Sequence, residues 1–341
     1  MYGTGKQQMK RISNYAGERT DYVQGGGGNT SVKWDENLMA IKASGYTLNE
    51  ITEEKGYVTV DYPRIKEYYN GVDTDIKKDY EQESLDINLS SVRLLPGMEE
   101  KRPSVEVGFH SFLPKCVIHT HSVYANLLCC AEEGRDIAKE ILADSGIQYL
   151  FVPYIDPGFR LTLAVKTAAE AYQARNGAVP DAIFLENHGV IASHDDAEKA
   201  IRIHEDVNNR IKRYFGLKDY PQPEIMPEGE HYRSDTAYLR DFIGEHKAGK
   251  DYFSALKLYP DQLVYIGPRL GAVIDIDGAS GGITYRTTEK EARTIEETLL
   301  AVLYIIREIG TAGLTLRQMD DRDADFINNW ESEEYRSKLV R

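Results

Sequence analysis

The run Cys116-Val117-Ile118-His119-Thr120-His121 is the tightest constraint on how this chain can fold. It follows Pro114, which ends a helical pattern over residues 104–113 where Val105, Phe109 and Phe112 recur at helical spacing. A second helical stretch, 124–131, comes directly after it. A short apolar run enclosed this way reads as a buried strand. Residues two apart on a strand share a face, so His119 and His121 point to one side. Neutral imidazoles so placed suit zinc or a similar divalent ion. Histidines satisfied within a core are the competing reading of an isolated HxH. A third ligand decides between them, and His188, in the turn Asn187-His188-Gly189 after an apolar strand at 182–185, is the natural candidate.

The rest of the chain reads as alternating elements. Four glycines at 25–28 form a turn into a strand at 29–33; further strands fall at 37–42, 57–61 and 190–192. Helices are expected over 161–175 and 197–215, and the charged stretch 71–101 mixes helix with loop. The proline-rich segment 220–227 and the polar composition of 231–250 mark a boundary. The expected organisation is a domain at 1–217 followed by a polar linker and extension at 218–341. Within the extension, 271–277 and 283–286 suggest a hairpin, and Thr288 with Glu291 makes a capping-box start for a helix to about 309. Strands and helices interleave without strict βαβ spacing, so the expected class is α/β, a mixed sheet covered by helices.

Composition narrows the function. No window of about 18 apolar residues occurs, which excludes a membrane-spanning helix. The start, MYGTGKQQMKR, lacks the apolar core of a signal peptide, so a cytoplasmic protein is expected. With 55 acidic against 41 basic residues the net charge is -14, which disfavours a nucleic-acid partner. Cys116, Cys129 and Cys130 form no CxxC pair and read as small buried side chains in a reducing compartment.

Several polar residues admit two readings. Glu106 stands at a helix start, either complementing the helix dipole or acting as a general base beside a metal. His110, four residues on, shares its helical face; structural bonding is preferred over a role supporting Glu106. His194 and His204 are expected to be solvated, and His231 and His246 have no ligand-like neighbours. The glycine run with Asn29 is a turn or a cradle of amides for an anion, but it has neither a GK[ST] ending nor a GxGxxG pattern. Lys33 and Lys42 read as solvated strand lysines.

In chain order the motifs are GGGNTS, KASG, PSVE, HTH and NHG. This combination resembles the class II aldolase/adducin family. The likeness is strongest to the aldolase part of rhamnulose-phosphate aldolase/alcohol dehydrogenase proteins and to fuculose-phosphate aldolase. It covers roughly residues 8–216 and, more weakly, 259–269 and 328–335; no dehydrogenase domain is expected in the remainder. The resemblance implies a three-layer αβα fold with a mostly antiparallel central sheet, plus a C-terminal α/β extension. It further implies His119, His121 and His188 as ligands of Zn2+ or another divalent transition metal, and Glu106 as the catalytic carboxylate. Asn29, Ser44, Gly45 and Ser104 would line a phosphate pocket. Val105 replaces a second serine there, removing one hydroxyl donor. The tyrosine that donates a proton in relatives has no match in 132–142; Tyr124, Tyr149 and Tyr154 are the nearby phenols, none assigned the role. The implied activity is retro-aldol cleavage of a ketose or ketose 1-phosphate through a metal-stabilised enediolate, by a homo-oligomer, commonly a tetramer. A dehydratase on the same metal and glutamate, and a non-catalytic adducin-like interaction module, are the alternatives; a 4-epimerase is disfavoured because those relatives carry Asp at the Glu106 position.

Overall fold

The computed structural model describes residues 2–329. A seven-stranded sheet forms its centre, built from β1 (Asn29–Lys33), β2 (Leu38–Lys42), β3 (Tyr57–Asp61), β4 (Cys116–Thr120), β5 (Tyr149–Val152), β6 (Ala182–Leu185) and β7 (Gly189–His194). Their order is β3-β2-β1-β4-β7-β6-β5, and only the β5–β6 pair is parallel. The strand that carries His119 and leads into His121 is therefore the middle one, buried along its whole length.

Strand alternation explains the layers. Cys116 and Ile118 face one side, where they pack with Met9, Ile12 and Ala16 of α1 (Gly3–Gly17) and Ala200 and Ile201 of α8 (Ala197–Tyr214). Val117 faces the other side, against Phe109 of α4 (Val107–Phe112) and Leu161 and Val165 of α7 (Phe159–Asn176). Helices α2 (Tyr62–Gly71) and α3 (Tyr80–Ser90) extend this second layer. Helices α5 (Val123–Cys129) and α6 (Gly134–Leu142) follow β4. The result is the three-layer α/β arrangement with a mostly antiparallel sheet.

The remainder of the chain is α/β as well. Strands β8 (Ile225–Glu228), β9 (His231–Ser234), β10 (Ile274–Asp277) and β11 (Gly282–Tyr285) make an antiparallel sheet in the order β10-β11-β9-β8. Around it lie α9 (Ala237–His246), α10 (Lys250–Ala255), α11 (Pro260–Tyr265), α12 (Glu289–Thr311) and α13 (Asp321–Asn329). The Thr288 side chain accepts the Glu291 N–H at the start of α12. Helix α12 packs on α5, and Leu299, Val302 and Leu303 share one buried cluster with Leu127, Leu128 and Val190. Each such fully buried side chain contributes roughly 1.5–3 kcal/mol.

The segments 220–227 and 231–250, read as a boundary, contain regular structure: β8 and β9 pair, and α9 buries Leu239, Phe242 and Ile243. Three expectations need correction. His204 is fully buried, because Thr120 Oγ1 at 2.7 Å and the Tyr15 hydroxyl at 3.1 Å satisfy its two nitrogens. Lys42 is buried with its ammonium donating to the Gly26 carbonyl, and half-buried Lys33 caps the carbonyls of His110, Leu113 and Pro114. Both lysines bury their stems and spend their charge on backbone oxygens. The helix expected from Ser104 begins at Val107, since Ser104-Val105-Glu106 forms a turn. The weak resemblance at 328–335 lies largely outside the described residues. All three cysteines are buried and free.

Candidate metal centre

Two elements bring the three histidines together. β4 carries His119, with His121 just past its end. The turn between β6 and β7, beside β4 in the sheet, carries His188. Each residue of that turn has a local reason. Asn187 adopts φ 49°, a left-handed conformation asparagine tolerates, and its side-chain amide donates to the carbonyls of Leu258 (2.8 Å) and Arg317 (3.0 Å). Gly189 must lack a side chain, since a Cβ there would meet the Thr120 carbonyl oxygen at 2.2 Å. The ligand atoms of His119, His121 and His188 lie within 4.8 Å of one another, all buried.

The hydrogen bonds set the ring orientations. His119 Nδ1 lies 3.1 Å from the Val190 carbonyl oxygen, an acceptor only, so this nitrogen carries the proton. His121 Nδ1 faces Asp261 Oδ2 at 2.5 Å. The two Nε2 atoms are thereby turned inward, 3.3 Å apart. Burial lowers the pKa of His119 to about 4 and that of His188 to about 3, so both rings are neutral at pH 7. Glu106 completes the cluster: Oε2 is 3.4 Å from His119 Nε2, and Oε1 is 3.3 Å from His188 Nε2. Burial alone would raise its pKa; the neighbouring His119, His188 and His121, with the Asn29 amide, outweigh that and hold it at about 2.

This donor set fits a metal. Two nitrogens at about 2.0–2.1 Å from a tetrahedral zinc are themselves about 3.3–3.4 Å apart, which matches the Nε2 pair. Glu106 Oε1 and His188 Nδ1 are buried without a hydrogen-bond partner. An inward-facing carboxylate oxygen in that state is expected of a cation site rather than of a satisfied core.

Glu106 is also held from behind. Asn29 Nδ2 donates to Glu106 Oε2 at 2.5 Å, the Asn29 side-chain oxygen Oδ1 accepts from His110 Nε2, and Ser31 Oγ donates to His110 Nδ1 at 2.8 Å. His110 is thus bonded structurally, yet its chain of contacts ends on Glu106. Its pKa falls to about 3 on burial, which keeps it neutral.

Gly28, Asn29, Ser44, Gly45, Ser104, Glu106, His121 and His188 all line one cavity of about 440 Å³. His119 forms part of the cluster beneath it. The Ser44 hydroxyl donates to the Pro103 carbonyl at 3.1 Å, and Ser104 Oγ accepts the Glu106 N–H at 3.4 Å. Lys42, Lys290 and Arg293 also line the cavity. The glycine run is a turn, and its Gly25 N–H donates to Glu297 at 2.7 Å. Tyr124 instead donates to Asp21 at 3.0 Å, and Tyr154 lines a different cavity. The tyrosines that line this cavity are Tyr46, whose hydroxyl donates to Glu99 at 2.7 Å, and Tyr265. Sequence reasoning missed Asp261 and Tyr265 as site residues. Their only signal was the weak likeness over 259–269, and one helical turn separates them on α11.

No helix among the described residues is long and apolar enough to cross a membrane. A family model, Class II Aldolase and Adducin N-terminal domain, matches residues 7–215. A Bacillus subtilis (strain 168) protein, uncharacterized oxidoreductase YuxG, is 29% identical over 245 residues, 64% of this chain and 32% of its own length. The chain thus spans about a third of that relative. The 5-deoxy-D-ribulose 1-phosphate aldolase of Bacillus thuringiensis serovar kurstaki is 25% identical over 196 residues, 55% of this chain and 83% of that one. Among solved structures, the N-terminal class II aldolase domain of a conserved Thermoplasma acidophilum protein superposes with a TM-score of 0.50 at 26% identity, covering 61% of this chain and 92% of the other. With a match across more than half its length, and with the motifs of that match gathered around one buried cluster, the chain belongs to the class II aldolase/adducin family.

Proposed function

We propose that this protein is a metal-dependent aldolase that cleaves a ketose or ketose 1-phosphate between C3 and C4. The carrying observation is the convergence of three imidazoles and one ionised carboxylate at a single buried point beside a sugar-sized cavity. The relative from B. thuringiensis, named for a ketose 1-phosphate, supports the same substrate class.

His119, His121 and His188 would hold the metal, with Glu106 close enough to join them. A bound Zn2+ or similar ion supplies Lewis-acid polarisation of adjacent substrate oxygens. The protein's own groups do the rest. In the synthetic direction the ionised Glu106 removes a proton from C3 of the ketone donor, and the new C4 oxygen takes up a proton once the bond has formed. In cleavage the C4 hydroxyl gives its proton to water in the cavity, and the C3–C4 bond breaks with its electron pair moving towards the C2 carbonyl as the C4 aldehyde forms. Glu106, protonated in turn from that water, delivers the proton to C3, so that no net proton is gained or lost. Asn29 keeps Glu106 aimed by holding Oε2. Ser44, Gly45, Ser104 and Asn29, which line the cavity, belong in this reading to the end that takes the phosphate. A homo-oligomer, commonly a tetramer in the family, is part of the same proposal.

The test is elemental analysis of the purified protein followed by a panel of ketoses and their 1-phosphates. Stoichiometric transition metal and aldehyde release are expected, with the phosphorylated sugar preferred by a modest margin and Ser104→Ala narrowing it. Water loss in place of aldehyde release would make the enzyme a dehydratase. A metal-free protein inert on every sugar would leave the interaction-module reading in its place.

A further inference from the structure

The four-glycine run is a contact surface between the metal cluster and the segment beyond residue 217. Gly25 donates its N–H to Glu297 of α12. A Cβ on Gly26 would stand 3.0 Å from the Tyr265 hydroxyl of α11. The tightest contact is at Gly27: a Cβ there would lie 2.4 Å from Asp261 Oδ2 and 3.1 Å from His121 Nδ1. Gly27 therefore lacks a side chain at the place where the Asp261–His121 pair passes beneath the loop.

That pair is fully enclosed: Asp261 has no exposed surface and His121 is only 3% exposed. The carboxylate accepts from Nδ1 at 2.5 Å, so His121 carries its proton on Nδ1 and presents Nε2 to the cluster. Asp261 itself stays out of the cavity lining and touches the cluster from behind.

From this geometry we infer that Asp261 is a positioning residue for the metal centre: it fixes the tautomer and rotation of His121, and Gly27 makes the room that lets it do so. The inference rests on the reading of the three histidines as metal ligands. It makes the C-terminal segment part of the centre, although the family match stops at residue 215. A carboxylate behind a ligating imidazole also raises the basicity of the ring, and loss of such a partner usually weakens metal binding by about 10–100-fold.

The experiment measures zinc affinity by competition against a chromogenic chelator, the absorption spectrum of the cobalt(II)-loaded protein, and the melting temperature without metal. Wild type, Asp261→Ala, Asp261→Asn, Gly27→Ala and His188→Ala are compared. Asp261→Ala and Gly27→Ala are expected to weaken zinc binding about 10–100-fold. Asp261→Asn, which keeps an acceptor oxygen but no charge, should fall in between, with shifted cobalt bands and a metal-free melting temperature close to wild type. It carries the test if the alanine variants fail to fold. His188→Ala, which loses a ligand directly, should lose zinc altogether. Zinc affinity and cobalt spectrum unchanged in a folded Asp261→Asn and Asp261→Ala would overturn the inference while leaving the metal reading standing. A wild-type protein that takes up no metal would overturn both.

Discussion

His119 Nε2 and His121 Nε2 face each other across 3.3 Å, each on a ring whose Nδ1 is already paired, with Val190 and Asp261 respectively. Two lone pairs pointed at one another in a buried site repel unless a cation lies between them. Metal should therefore stabilise the fold as well as the chemistry. Stripping it with a chelator is expected to lower the melting temperature, and readdition to restore it; a ligand at 100 times its Kd is worth about 2.7 kcal/mol. His119→Ala or His188→Ala should abolish this response. A melting temperature indifferent to chelator and metal in the wild-type protein would argue for a merely structural histidine cluster.

Glu106 separates binding from turnover. Glu106→Gln keeps the shape and can still contact Asn29, but it cannot take a proton. Metal content should largely persist while turnover falls by roughly 10²–10⁴-fold. Near-normal turnover would reduce Glu106 to a residue at the start of α4.

Asn29 stands between two roles. It bridges His110 and Glu106, and it also lines the cavity where a phosphate is proposed. Asn29→Ala leaves a buried carboxylate oxygen and a buried imidazole N–H without partners, a loss of about 1–3 kcal/mol in stability. Turnover is expected to drop about tenfold or more for the free ketose as well as for its phosphate, since the aim of Glu106 is lost for both. A rise in KM confined to the phosphorylated substrate would instead assign Asn29 to the phosphate alone.

A pH dependence arises at the start of α7. Glu81 accepts the Phe159 N–H at the start of α7 at 2.9 Å, and burial lifts its carboxyl to about 7. Because the folded pKa lies above the unfolded one, its contribution is fully present below about 4.3 and is lost as pH rises through about 7. Unfolding by denaturant should thus show a loss on the order of 1–3 kcal/mol between pH 5 and pH 8 that Glu81→Gln abolishes, allowing for its partial exposure to solvent. Parallel pH profiles for wild type and variant would count against this assignment.

Much of the fold was legible because its elements obey local rules. β3 and β6 fall where alternation and flanking turns put them, and Thr288 starts α12 through its own hydroxyl. The histidines were legible for the same reason: residues two apart on a strand must share a face, whatever surrounds them. What surrounds them was not. The burial of His204 depends on Tyr15 and Thr120, residues distant in sequence, and no periodicity announces such a contact. Asp261 lay hidden because a lone aspartate after a proline looks like any helix start, and only the packing of α11 beneath the glycine loop gives it a histidine. The stretches 220–227 and 231–250 read as a boundary because prolines and polar residues dominate their composition, while Tyr220, Ile225, Leu239, Phe242, Ile243 and Ala248 join the core shared with α12.

The core shared by α5 and α12 bears on how the molecule can be divided. A fragment ending at residue 217 would contain every motif of the family match, yet it would expose Tyr124, Leu127 and Leu128 along the face that α12 covers. Apolar surface bared in this way drives self-association. Such a fragment would be poorly soluble, and it would also lack Asp261 behind His121 and the cavity residues Tyr265, Lys290 and Arg293.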